Sequence, residues 1–132
     1  MKNRVLMSSS YYIDETNKVV VCTLQCDVQF EKHKAYLYIF DSMYKKKLPY
    51  IKCGSFEVKA KARCNASDTF NVETGKRIAE SRAKAKAFRT AKKLWNEIVK
   101  SLKNAAKSCE DTALACNIAL DNELKHVKDL TE

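Results

Sequence analysis

The stretch NKVVVCTLQCDVQF, residues 17–30, decides how this chain folds. Val20, Cys22, Leu24, Cys26, Val28 and Phe30 fall on one side of it, and Thr23, Gln25, Asp27 and Gln29 on the other. A period of two marks a strand with one face buried. SFEVKAKARC, residues 55–64, repeats the pattern, with Phe56, Val58, Ala60, Ala62 and Cys64 inward and Glu57, Lys59, Lys61 and Arg63 outward. RVLMSSSYYI, residues 4–13, runs into the turn-like DETN and reads as a strand pairing back on 17–30 as a hairpin. AYLYIFDSMYKKK, residues 35–47, suits a strand by its aromatics. The spacing of Tyr36, Phe40, Met43 and Lys47 suits a helix equally well, so both readings stay open. KKKLPYIKCG, residues 45–54, holds the only Pro and reads as a loop.

After Cys64 the period changes. NASDTFN is a polar connector, Asn71 is a fair helix N-cap and Glu73 sits in the first turn. No Pro interrupts 72–107, and the only Gly there, Gly75, lies in the first turn. Ser108 and Asp111 resemble a capping box, so a second helix is expected over 109–128, with Ala113, Cys116, Leu120, Leu124 and Val127 on one face. The expected fold is α+β: an antiparallel sheet of three to four strands, then a long basic helix and a second, C-terminal helix. At 132 residues the chain reads as one domain, 1–132, with 1–64 mainly sheet, 72–107 the basic helix and 109–128 an acidic one.

Within the long helix, Phe88, Ala91, Trp95, Ile98, Leu102, Ala105 and Cys109 step by threes and fours, an apolar seam of coiled-coil type. A homodimer through this seam, Phe88 to Cys109, is one expectation. A second row, Arg82, Lys86, Arg89, Lys93, Asn96, Lys100, Lys103 and Lys107, holds no acid and lies about 150° from the seam at 100° per residue. Like charges at i,i+4 disfavour a helix by about 0.2–0.5 kcal/mol, so an ordinary solvated face mixes signs. This one does not. The row fits a polyanionic partner, and a solvated face remains the plainer alternative. A third use is structural, with the acidic last helix folding over the row.

Charge divides along the chain. Residues 1–43 are balanced, 44–107 carry eighteen basic groups against five acidic, and 108–132 carry two against six. The net charge of +9 points to nucleic acid or a nucleoprotein complex as partner. The row is joined in that expectation by Lys59, Lys61 and Arg63, and by Lys76 and Arg77 near the helix start. Contacts of this kind go to phosphate and are largely blind to base sequence.

Other chemistry is thinly supported. No Gly-rich phosphate loop, GxSxG or HExxH occurs, and no cofactor is expected. Asp41 followed by Glu57-x-Lys59 has the order of a metal-dependent nuclease, but alternating strands produce Glu-x-Lys by chance; a non-catalytic protein is expected. Cys22 and Cys26 would stand about 13 Å apart along a strand, too far to share a zinc ion. The six cysteines therefore read as buried, reduced thiols, with no metal. No run approaches a membrane span or a signal-peptide core, which suggests a cytoplasmic protein.

ARCNASDTFNVETGKRIAESRAKAKAF, residues 62–88, resembles a motif of small uncharacterised proteins of bacterial phages and mobile elements. In them a strand ends in Cys, an Asp-Thr-Phe connector follows and a Gly-x-x-Ile-Ala-x-x-Arg-Ala helix begins. The order strand, connector, basic helix start is also similar to double-stranded RNA-binding domains, with Lys76-Arg77 in place of their Lys-Lys pair. The first resemblance implies a bacterial host cytoplasm. It raises a second function: an inhibitor of a bacterial defence system such as a CRISPR nuclease, occupying that machine's nucleic-acid contacts or blocking its assembly.

Overall fold

The computed structural model describes residues 2–29, 54–65 and 67–132. The two readings of 35–47, the loop 45–54 up to Cys53, Asp41 and Phe30 lie outside the described residues. The fold is α+β: β1 (Val5–Asp14), β2 (Val19–Val28) and β3 (Ser55–Arg63) form one antiparallel sheet in the order β1-β2-β3, followed by a single helix, α1 (Val72–Thr131). The chain divides into two compact units, Met1–Ile98 and Val99–Glu132.

In the first unit, β1 and β2 form the expected hairpin, with Ile13 opposite Val20 and Val5 opposite Val28. Its turn is set by Asp14, whose carboxylate accepts hydrogen bonds from the Asn17 backbone N–H at 3.1 Å and side-chain amide at 2.8 Å. Those bonds hold the Asp14 carboxyl below its usual range. β3 pairs with the other side of β2, Cys22 facing Ala60 and Leu24 facing Val58. Directly opposed residues share a face, so the even residues of β2 and β3 and the odd residues of β1 point the same way.

That face is where α1 lies. Val20, Cys22, Leu24, Cys26 and Val28 are buried beside Phe56, Ala60 and Ala62, and α1 contributes Ala79, Ala83, Ala87, Ala91, Leu94 and Ile98. Burial pushes the Cys22 and Cys26 thiols up, which keeps them protonated and inert. Cys64 is half-buried, its thiol 3.5–3.8 Å from the carbonyls of Asn65, Asp68 and Thr69 in the connector. Asn71 caps α1 as expected, its Oδ1 accepting from the Thr74 N–H at 3.1 Å.

Two expectations about the helix are corrected. The apolar seam is not the row from Phe88 to Cys109: only Ala91 and Ile98 of that row are buried, Phe88 is 40% exposed, Trp95 and Leu102 are half-buried, and Ala105 and Cys109 are exposed. The docked face is instead Gly75, Ala79, Ala83, Ala87, Ala91, Leu94 and Ile98. The backbone approaches the sheet too closely for large residues, so the bulky Phe88 and Trp95 sit on its flank. Nor does a second helix start at Cys109, since α1 continues through Ser108 to Thr131. Asp111 bonds Lys107 Nζ at 3.0 Å instead of capping, and Thr112 donates its hydroxyl to the Ser108 carbonyl. With no Gly or Pro beyond Gly75, nothing breaks the ladder.

Candidate functional site

Register fixes what the outer edge of β3 presents. The Val28 N–H bonds the Gly54 carbonyl and the Cys64 N–H bonds the Lys18 carbonyl, so even residues of β3 turn their backbone groups toward β2. Odd residues therefore turn theirs to the edge of β3 away from β2, unpaired among the described residues, and their side chains away from α1. Lys59, Lys61 and Arg63 are all exposed on that outer face.

The basic row of α1 meets this edge. Arg82 donates from a guanidinium nitrogen to the Lys61 carbonyl at 2.9 Å, and Lys86 Nζ donates to the Lys59 carbonyl at 2.7 Å. The spacing agrees. A four-residue step along a helix advances about 6 Å, and a two-residue step along a strand about 6.6 Å. Arg82 and Lys86 thus satisfy alternate edge carbonyls with one donor each, and each keeps further N–H groups for a ligand. Arg89 and Lys93 continue the same helix flank and are exposed. The row is not on the far side of α1, as its expected 150° offset implied. It lies about 100° from the Ala83 line, on the flank that faces β3.

Seven cations, Lys59, Lys61, Arg63, Arg82, Lys86, Arg89 and Lys93, are thereby brought to one edge of the first unit. Among the described residues, the only carboxylate within salt-bridge range of any of them is Glu57, 3.8 Å from Lys59. That pair is well exposed and contributes little. Glu57 and Lys59 of the nuclease-like order are thus paired with one another. Among the described residues no group of three His, Cys, Asp or Glu side chains is arranged to hold a metal ion.

Other expected site residues lie elsewhere. Lys76 stands 5.4 Å from the centre of the Tyr11 ring and 3.8 Å from Glu73, on the β1 side of α1. Arg77 is exposed but is turned about 140° from Arg82. Neither joins the edge. Lys100, Lys103 and Lys107 belong to the second unit and are exposed there, Lys107 paired with Asp111.

The β1 side has its own polar cluster. The Tyr11 hydroxyl donates to Glu80 Oε2 at 2.8 Å, and Glu80 Oε1 pairs with Lys84 Nζ at 2.9 Å. Hydrogen bonds from Lys84 and then Tyr11 pull the Glu80 carboxyl below its usual range. The bond to Glu80 pushes Lys84 and Tyr11 up. This cluster links α1 to the sheet and is neutral, unlike the β3 edge.

One residue escaped the sequence reading. Tyr12 is 66% exposed on the outer sheet face, in one cross-strand row with Val21 and Lys61. Alternation in SSSYYI puts Tyr11 and Tyr12 on opposite faces, which was the available signal.

A three-stranded antiparallel sheet with one helix across its apolar face and a cationic outer edge is the class these residues define. No family model matches the chain, and no curated protein or solved structure matches it either. Among the described residues no helix is long and apolar enough to cross a membrane.

Proposed function

We propose that this protein is a non-catalytic binder of nucleic acid, holding phosphates along the β3 edge of its first unit. The observation that carries the reading is the pair of bonds from Arg82 and Lys86 to the Lys61 and Lys59 carbonyls. They hold two independent sets of cations, one from a strand face and one from a helix flank, against each other without an interleaved acid. Such an arrangement accepts like-charge repulsion, which a bound polyanion relieves. Tyr12 supplies an exposed ring on the same outer sheet face, two strands from Lys61, on which a base can stack.

The test is a salt series of binding to mixed-sequence single- and double-stranded nucleic acid. If all seven cations contact phosphate, affinity falls with a log–log salt slope of about −6 on duplex DNA. Arg89→Glu with Lys93→Glu leaves the two edge bonds intact. It should lower affinity at least about ten-fold and flatten the slope by about two. Lys125→Glu with Lys128→Glu, in the second unit, changes the net charge by the same amount and serves as the control. Equal losses in the control and the double variant, or no salt dependence, would refute the reading. Capture of a host protein by nuclease-treated bait, lost in the double variant, would transfer the same edge to a protein partner instead.

A further inference from the structure

Every residue from Lys103 to Glu132 is exposed, including Leu120, Leu124, Val127 and Leu130, each more than half so. A helix takes most of its stability from packing an apolar face, and among the described residues none packs on this segment. Its pattern is strict. Starting at Val99, steps of 3, 4, 3, 4 continue unbroken to Leu130 and meet one polar residue, Glu123. The seam carries its bulk at the two ends, Val99 and Leu102 at one and Leu120, Val127 and Leu130 at the other. Ala106, Cys109, Ala113 and Cys116 form a narrow middle.

We propose that this segment, 99–130, pairs antiparallel with the same segment of a second copy of the chain. Charge selects the orientation. Residues 99–109 hold Lys100, Lys103 and Lys107 and no acid, whereas 110–132 hold six acids against Lys125 and Lys128. Parallel copies would set like halves together and place Glu123 against Glu123 inside the seam, an arrangement that disfavours association. Antiparallel copies set basic half against acidic half. Centred between Ala113 and Cys116, the two seams then match end to end: Leu130 against Val99, Val127 against Leu102, Leu120 against Cys109. Glu123 meets the small Ala106, with Lys103 of the other copy beside it on the flank. One two-fold axis satisfies every layer, as an isologous interface requires. A second copy is therefore the occupant whose charge and bulk this face already complements.

The test uses the full chain, freed of nucleic acid by nuclease and high salt, so that its result does not depend on the β3 edge. Sedimentation across micromolar concentrations should give a mass near twice 15.1 kDa. Leu120→Glu with Val127→Glu should return it to monomer, while amide exchange in β2 stays protected and shows the first unit intact. Glu123→Lys should weaken association at least about ten-fold, and adding Lys103→Glu should restore it, because the swap re-forms the pair in the antiparallel register only. A strict monomer, a dimer indifferent to Leu120→Glu with Val127→Glu, failure of the charge swap, or a Cys109–Cys109 disulfide on mild oxidation would each overturn the proposal.

Discussion

Gly75 of α1 rests against Val20 of β2 so closely that a Cβ in its place would stand 2.7 Å from the valine Cγ2. The contact sets the height of the helix above the sheet at its first turn. Ala79, Ala83, Ala87 and Ala91 keep it low along the next four turns. Leu94 and Ile98 then fill the space with bulk, both almost fully buried.

Gly75→Ala should therefore destabilise the protein although it improves helix propensity. Overpacking against a stiff, buried Val costs about 1–3 kcal/mol, and replacing Gly in a helix returns at most about 1 kcal/mol. A net loss of up to about 2 kcal/mol is expected in chemical denaturation. Ala83→Leu, at a fully buried site, should cost about 3 kcal/mol or more. A gain in stability from either would mean that helix and sheet are not in close contact.

Leu94→Ala and Phe88→Ala distinguish the observed docked face from the seam suggested by side-chain size. Leu94 is fully buried and its truncation should cost about 2–5 kcal/mol. Phe88, 40% exposed, should cost about 1 kcal/mol, since much of its ring is already in water. The reverse order in thermal or urea melts would contradict the docking.

The Tyr11–Glu80–Lys84 cluster should give stability a defined pH window. Glu80 has a lowered pKa in the fold, so its contribution is full above the ordinary carboxylate value of about 4.3 and disappears as pH falls through the folded value. Tyr11 and Lys84 are raised, so theirs is full below about 10 and is lost as pH rises through their folded values. Glu80→Gln should flatten the acid side of a stability–pH curve, and Tyr11→Phe should change the alkaline side. A parallel shift of the whole curve in both variants would speak against the cluster.

The thiols should separate by reactivity. Cys109 and Cys116 are exposed and should react with a chromogenic disulfide within seconds to minutes at mildly alkaline pH. Cys22 and Cys26 are buried with raised pKa values and should react only as the sheet opens, at rates that rise with denaturant. Equal reactivity of all four in native conditions would argue against the packed β2 face.

Much of the sheet was legible because a strand's period of two is a local property. Alternation in 17–30 and 55–64 named Val20, Cys22, Leu24, Cys26, Val28, Phe56, Ala60 and Ala62, which are buried, and Val58 and Cys64, which are half-buried. The hairpin followed from DETN, and the start of α1 from Asn71. The docked face of the helix was harder to read. Ranking a helix wheel by size favours Phe88 and Trp95, but a helix lying close to a sheet selects for the absence of size, and the Gly-Ala row at every fourth residue was its signal. The buried thiols of Cys22 and Cys26 were expected; those of Cys109 and Cys116 are exposed instead.

The amino-acid order alone determined the three described strands, the start of α1 and how many cations the chain carries, since each depends on neighbours a few residues away. Only the tertiary structure decided which cations meet. Lys59 and Lys86, 27 residues apart, come together because register points the Lys59 carbonyl away from β2 and the alanine face of α1 turns Lys86 toward it. Lys76, with the same charge, is carried to Tyr11 instead. That sorting rests on long-range packing, which no local pattern encodes.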